Sequence, residues 1–209
     1  MEPSFSLMVE RKAFMFNREY WASSAEKLRS TKYLAIMAAM IAMKIVVASY
    51  YLPLGDNLRV YVSFLLVALE ACILGPVAGM VSGALSDILG FMIFPNGPFF
   101  LGYTLTAMSS SLIYSLFLYR TQITAARLAG AKVLVNYLVN VLMGSLWSAI
   151  LYSRGYWYYL VKSLIKNTLL LPFEIAALIA VFNLLLPYLT KKNLAVRQDS
   201  LPIRIFPKK

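Results

Sequence analysis

The polar residues of this sequence that could bind or react lie inside long apolar segments, at regular spacing. Asn136, Asn140, Gly144, Ser148 and Tyr152 follow one another in four-residue steps. Such steps keep side chains on one face of a helix. A polar stripe does not face lipid favourably, so it faces other helices or a cavity. We predict that Asn136 ties helices together and that the end near Tyr152 contacts a ligand.

A second four-residue series consists of small residues and ends in an acid: Gly75, Gly79, Gly83 and Asp87. Small residues at this spacing let two helices approach closely. Asp87 lies on the same face and therefore needs a hydrogen-bond partner. We interpret its role as packing rather than catalysis.

Three further ionisable residues interrupt apolar segments. Lys44, Glu70 and Glu174 are each surrounded in sequence by aliphatic and aromatic residues. Charged groups inside a membrane are costly unless they are paired. Lys44 could pair with Glu70, whereas the sequence suggests no particular partner for Glu174.

The residue types exclude most catalytic chemistry. The chain has one cysteine, Cys72, and no histidine, which excludes a disulfide framework and a histidine-ligated metal site. There is no glycine-rich phosphate loop that ends in Lys and Ser or Thr, so the chain should not hydrolyse ATP itself. We therefore expect a protein that is not an enzyme and that carries no cofactor.

The overall composition is that of an integral membrane protein. Of 209 residues, 60% are hydrophobic and 14% are charged, and the mean hydropathy is +0.69. A membrane-spanning helix needs about 20 apolar residues. The sequence predicts an all-α integral membrane protein with six transmembrane helices, near 33–52, 60–74, 77–93, 101–119, 133–152 and 161–186. Pro172 should kink the last of these helices.

Basic residues indicate the orientation, because cytoplasmic flanks of membrane helices collect Lys and Arg. With six spans, the three basic flanks fall on the same side: the N-terminal arm, the connector that holds Arg120, Arg127 and Lys132, and the C-terminal tail. We predict a cell-membrane protein with both termini in the cytoplasm. The net charge of +11 is then mostly a topology signal, and nucleic acid is not an expected partner.

The predicted organisation has three parts. Residues 1–30 form a cytoplasmic arm, either an amphipathic helix on the membrane surface or a disordered tail. Residues 31–189 form the six-helix membrane domain, and residues 190–209 form a basic cytoplasmic tail. The outer connectors, such as FPNGPFF at 94–100, join turn residues to aromatics. They are either an interfacial aromatic belt or a lid over a ligand.

Two segments carry a family resemblance. GPVAGMVSGALSDILGFMIFPNGPFFLGYTLTAMSSSLIYSLFLY (75–119) resembles the middle of the folate-specific S components of energy-coupling factor (ECF) vitamin transporters. NVLMGSLWSAILYSRGYWYYLVKSLIKNTLLLPFE (140–174) resembles their last two spans. The resemblance covers most of 33–187. It implies an S-component-like bundle that binds a vitamin at its outer face.

The resemblance also implies partners and a mode of transport. A shared transmembrane coupling protein would meet the small-residue face of the first span, formed by Ala35, Ala38, Ala39 and Ala42. Two ATPase subunits would drive transport, and the S component would topple in the membrane to deliver its ligand inward.

Folate itself fits the residue chemistry. Its flat rings would stack on aromatic residues, its two carboxylates would attract Arg and Lys, and its pterin would meet asparagine amides. The candidate substrate-binding residues are Arg59, Asn96, Phe99, Phe100, Tyr103, Asn140, Trp147, Tyr152, Arg154, Lys162, Lys166 and Asn167. Two alternatives stay open: the same fold for another vitamin, such as pantothenate or a pyridoxine or pyrimidine precursor, and a membrane assembly protein without a transport role.

Overall fold

Helices make up most of the structure, a computed structural model that describes residues 18–49, 51–53, 59–95, 99–152, 155–198 and 202–205. Helix α1 (Arg18–Glu26) and a 3-10 turn (Lys27–Arg29) precede the bundle. The bundle contains α2 (Thr31–Ser49), α3 (Phe64–Leu74), α4 (Pro76–Ile93), α5 (Leu101–Leu118), α6 (Ala125–Leu134), α7 (Gly144–Leu151) and α8 (Tyr156–Lys191). A π-helical segment, Val135–Met143, joins α6 to α7 without a break.

The prediction of an all-α membrane protein is confirmed. Among the described residues, five helices are long and apolar enough to cross a membrane, and a shorter apolar helix is Phe64–Leu74. The five are Thr31–Ala48, Pro76–Ile93, Leu101–Leu118, Ala125–Leu151 and Tyr156–Lys191. The last of these continues through Pro172 and Pro187. A kink at Pro172 stays a prediction.

The second predicted span begins later than the sequence suggested. Residues Arg59–Tyr61 form strand β2, which pairs antiparallel with β1 (Tyr51–Pro53). A run of β-branched and aromatic residues next to a short connector favours a hairpin over a helix. Helix α3 therefore has only 11 residues, about 16 Å. Its residues 68–74 are all buried among the other helices.

The small-residue face of α4 packs directly on α5. A side chain at Gly83 would lie 3.0 Å from the backbone oxygen of Ala107, and one at Gly79 would touch Ser115. At the C-terminal end of this face, Thr104 donates a hydrogen bond to Asp87 at 2.7 Å. The predictions of a close helix contact and of a hydrogen-bond partner for Asp87 are both confirmed.

The arm packs on the junction between α3 and α4, where Gly75 adopts a φ of +82° that favours glycine. The Ser24 hydroxyl donates to the Leu74 carbonyl at 2.9 Å and accepts from the Ala78 amide at 3.1 Å. Lys27 donates to the Ile73 carbonyl, and its burial lowers its pKa to about 8, with Arg120 adding to the shift. These side chains satisfy backbone groups that the helix break leaves unpaired.

The described part of the tail folds back on the start of α6. The backbone amides of Ala125 and Ala126 donate to the carbonyls of Arg204 and Ile205, at 2.9 and 3.1 Å. These amides belong to the first helical turn, which has no partners within the helix. Arm and tail thus both contact the bundle in the part of the chain that the structure describes.

A buried ion pair joins α2, α3 and α4. Lys44 Nζ lies 2.5 Å from Glu70 Oε2 and 3.2 Å from Ser82 Oγ, and the Ser82 hydroxyl donates to the other oxygen of Glu70. Lys44 is 5% exposed, and Glu70 and Ser82 are fully buried. The suggested pairing of Lys44 with Glu70 is confirmed.

We predict that Lys44→Met and Glu70→Met each lower the free energy of unfolding by about 3–5 kcal/mol, because each leaves an unpaired buried charge. The double variant should recover most of the loss, since two apolar residues then face each other. Unfolding midpoints in detergent would measure this, with Lys32→Met, at an exposed position, as the control. Single variants no less stable than Lys32→Met would contradict the role of the pair.

Candidate functional site

An aromatic cluster lies where α5 begins and α7 passes it. The Phe100 ring meets the Trp147 ring edge-on, with centroids 5.5 Å apart, and the Tyr103 ring at 6.1 Å. All three side chains are partly exposed. The structure thus brings these three predicted site residues together, and they offer aromatic rings that a planar ligand could contact.

Gly102 and Thr106 hold this cluster in place. A Cβ at Gly102 would lie 2.7 Å from Trp147 Cδ2, so only glycine lets the indole rest on the α5 backbone. Trp147 Nε1 donates to Thr106 Oγ1 at 3.0 Å, which fixes the indole orientation. The sequence analysis did not identify either residue. Their four-residue spacing, which places them on one face of α5, was the available signal.

A polar chain runs along the π-helical segment toward this cluster. Glu174 on α8 contacts Lys132 Nζ with one carboxylate oxygen, at 3.1 Å. Its other oxygen accepts from the Asn136 amide at 2.7 Å. The Asn136 side-chain oxygen accepts in turn from the Asn140 amide at 3.1 Å. Asn136 therefore ties two helices together, as predicted, and Glu174 has its partners.

Lys132 occupies a different position from the one the sequence indicated. It was counted among the cytoplasmic flank residues, yet it is 1% exposed and lies 3.8 Å from the centre of the Phe64 ring. The partner on another helix, Glu174, explains why a lysine can lie here. The basic connector is accordingly shorter than predicted and ends at Arg127.

Asn167 joins the same polar group through Ser163. The Ser163 hydroxyl donates to the Asn140 backbone carbonyl at 3.2 Å. The Asn167 amide donates to the Ser163 carbonyl at 2.8 Å and to its hydroxyl at 3.2 Å. The structure thus brings Asn140 and Asn167 together, although they are on different helices. Ser163, which connects them, was missed by the sequence analysis.

Asn140 and Trp147 lie on the same continuous helix, whereas Asn167 lies on α8 and the Phe100 and Tyr103 rings lie at the start of α5. Asn140 and Trp147 are seven residues apart, which is about 10 Å along the axis of a regular α-helix. Lys162 and Lys166 on α8 flank Ser163 and are both partly buried. Hydrogen-bonding amides, aromatic rings and nearby cations suit the binding of a planar, polar, anionic molecule.

Two other predicted site residues lie apart from this group. Phe99 is 46% exposed and packs on Phe91 of α4, with ring centroids 5.1 Å apart. Tyr152 is 47% exposed and contacts Tyr159 at 6.4 Å. Three predicted site residues lie outside what the structure describes: Asn96, Arg154 and the side chain of Arg59.

The alanines predicted to meet a partner form one exposed face of α2. Ala35, Ala38, Ala39 and Ala42 are all exposed, while Met37 and Ile41 on the opposite face are buried. This face is small and apolar, and nothing in the described part of the chain covers it. Its role as an interface stays a prediction.

Comparison with known families identifies the chain's type. The family model for the substrate-specific component of ECF transporters matches residues 32–193. The chain belongs to this family. It is therefore a multi-pass membrane protein, and it is the non-enzymatic, substrate-binding subunit, or S component, of an ECF transporter.

Individual relatives of this chain are named folate transporter FolT. The chain is 31% identical over 145 residues to a folate transporter FolT from Clostridium novyi (strain NT), and the alignment covers 69% of this chain and 84% of that protein. The chain is also 29% identical over 170 residues to a folate transporter FolT from Leuconostoc mesenteroides, and this alignment covers 78% of the chain and 91% of that protein. A crystal structure of FolT bound with folic acid superposes on this structure with a TM-score of 0.64 at 29% sequence identity. The superposition covers 70% of this chain and 89% of that one.

Proposed function

We propose that this S component binds folate, or a closely related vitamin, with the Phe100–Trp147 cluster and the Asn140–Asn167 amides. The observation that carries the proposal is that Asn140 and Trp147 share one continuous helix, with Phe100 packed on the Trp147 ring and Asn167 linked to Asn140 through Ser163. This arrangement offers aromatic rings and polar amides to a ligand that has a flat ring and a polar edge. Similarity to proteins named folate transporter FolT, at about 30% identity over most of the chain, supports the same ligand.

Each part of folate has a counterpart in this arrangement. The pterin is flat and would stack on aromatic rings. Its nitrogen and oxygen edge would meet the amides of Asn140 and Asn167. The glutamate carboxylates would be drawn to Lys162 and Lys166, and to Arg59 and Arg154 from the outer connectors. Phe99 and Phe100 would close the outer side of the site.

Transport requires partners beyond this chain. We propose that the exposed alanine face of α2 docks on a transmembrane coupling protein, because small side chains allow close helix contact in a bilayer. Two ATPase subunits would supply the energy, and toppling of the S component would carry the vitamin inward. Both termini would lie in the cytoplasm, on the side of the basic flanks.

Phe100→Ala should weaken folate binding about tenfold to a hundredfold, since loss of one stacking aromatic costs roughly 1–3 kcal/mol. Phe173→Ala, which truncates a side chain that is 74% exposed and lies on α8, is the control and should bind normally. Calorimetric titration of the purified protein would measure both dissociation constants. If the two variants bind folate with equal affinity, the ring cluster does not contact the ligand.

Ala39→Trp should abolish folate uptake by cells that carry the whole transporter, yet leave folate binding by the isolated subunit nearly intact. The bulky ring would separate the two helices that meet at this face. Ala180→Trp, at another exposed position on α8, is the matched control and should transport normally. If Ala39→Trp loses binding and uptake together, the face does not serve as a coupling interface.

A further inference from the structure

The two amides at the deep end of the site have fixed orientations. An asparagine side chain has one accepting oxygen and two donating N–H groups, and its hydrogen-bond partners decide which end points where. At Asn140 and Asn167, every side-chain hydrogen bond to a described residue is made by the amide nitrogen. Neither side-chain oxygen accepts a hydrogen bond from the residues that the structure describes. Both oxygens are therefore free to accept one.

The orientation of Asn140 originates in a buried ion pair. Glu174 pairs with Lys132 and, as a carboxylate, can only accept hydrogen bonds. Asn136 must therefore donate from its amide nitrogen, which lies 2.7 Å from Glu174 Oε2. The Asn136 side-chain oxygen then faces Asn140 and can only accept. Asn140 must therefore also donate from its amide nitrogen, which lies 3.1 Å from Asn136 Oδ1. Asn136 is fully buried, so no solvent competes for either bond.

The orientation of Asn167 is set independently through Ser163. The Ser163 hydroxyl gives its only hydrogen to the Asn140 carbonyl, so its oxygen can only accept from Asn167. The Ser163 backbone carbonyl accepts from the same amide nitrogen. Both amide hydrogens of Asn167 are thereby engaged, and Asn167 is 4% exposed. The side-chain oxygen of Asn167 can therefore only accept a hydrogen bond, and no described residue donates one to it.

We propose that Lys132, Glu174 and Asn136 act as positioning residues that hold Asn140 as an acceptor, and that Asn140 and Asn167 together select ligands by their hydrogen-bond donors. This rests on the proposed function. The pyrimidine edge of a pterin presents two neighbouring donors, the ring N3–H and the 2-amino group, which match two free amide oxygens. A ligand whose corresponding edge carries an acceptor in place of N3–H leaves an amide oxygen unpaired, or facing another acceptor.

The 4-amino analogue of folate is the direct probe, because it differs from folate by the 4-substituent and the loss of the N3–H donor. We expect the wild-type protein to bind folate at least about tenfold more tightly than the analogue at pH 7, where both pterin rings are mostly uncharged and folate keeps its N3–H, since a site built for a hydrogen bond rejects a ligand that lacks it. Calorimetric dissociation constants for both ligands give this ratio.

Asn136→Leu tests the positioning chain. It removes the link to Asn140 but leaves the Lys132–Glu174 pair intact. We expect this variant to bind folate no more than about threefold more tightly than the 4-amino analogue. Asn183→Leu is the matched control: Asn183 lies near the C-terminal end of α8, where its side chain accepts a hydrogen bond from the Ile203 amide, and this variant should keep the wild-type ratio. A general loss of packing would weaken both ligands alike and leave the ratio unchanged, so the ratio separates positioning from stability.

A second variant keeps the test valid if Asn136→Leu does not fold. In Lys132→Met/Glu174→Gln both charges are removed together, and the glutamine can donate as well as accept, so the orientation of Asn136 is no longer compelled. The ratio should again fall. A wild-type ratio near one, or an unchanged ratio in these variants, would overturn the inference while leaving folate binding in place. Failure of the wild-type protein to bind folate would instead overturn the proposed function.

Discussion

The hydrocarbon core of a bilayer offers no partner for a charge, and this constraint determines how the bundle is assembled. Within the ranges that the structure describes, two ion pairs satisfy it. Lys44 and Glu70 join α2 to α3, with Ser82 of α4 completing the group. Lys132 and Glu174 join α6 to α8. Because neither charge of a pair can be left alone in lipid, each pair specifies which helices are neighbours and in which register they meet.

The proposed ligand site depends on the second pair. The carboxylate of Glu174 orders Asn136, and Asn136 orders Asn140. Seven residues further along the same helix, the Trp147 ring rests against α5 at Gly102. The site is thus built on helices whose contacts are fixed inside the membrane. The alanine face of α2 is on the exposed side of a helix whose other side holds Lys44. A partner could dock there without disturbing the ion pair.

Much of the fold could be predicted because it follows helical periodicity. Four-residue spacing revealed the glycine face of α4 and the asparagine stripe, and the cost of charge in lipid suggested that Lys44 pairs with Glu70. Other features depend on contacts distant in sequence. Lys132 looked like a flank residue because its partner is 42 positions away. The docking of Ser24 on Leu74 and the amide orientations at Asn140 and Asn167 leave no pattern in a single sequence.

The central claim is that this S component is a folate-binding subunit, and the vitamin that remains bound through purification tests it most directly. The protein would be purified in mild detergent from cells supplied with a vitamin mixture, denatured, and the released small molecules identified by mass spectrometry. The account predicts a folate, at close to one molecule per chain. Recovery of another vitamin, such as pantothenate or a pyridoxine precursor, in place of folate would contradict it.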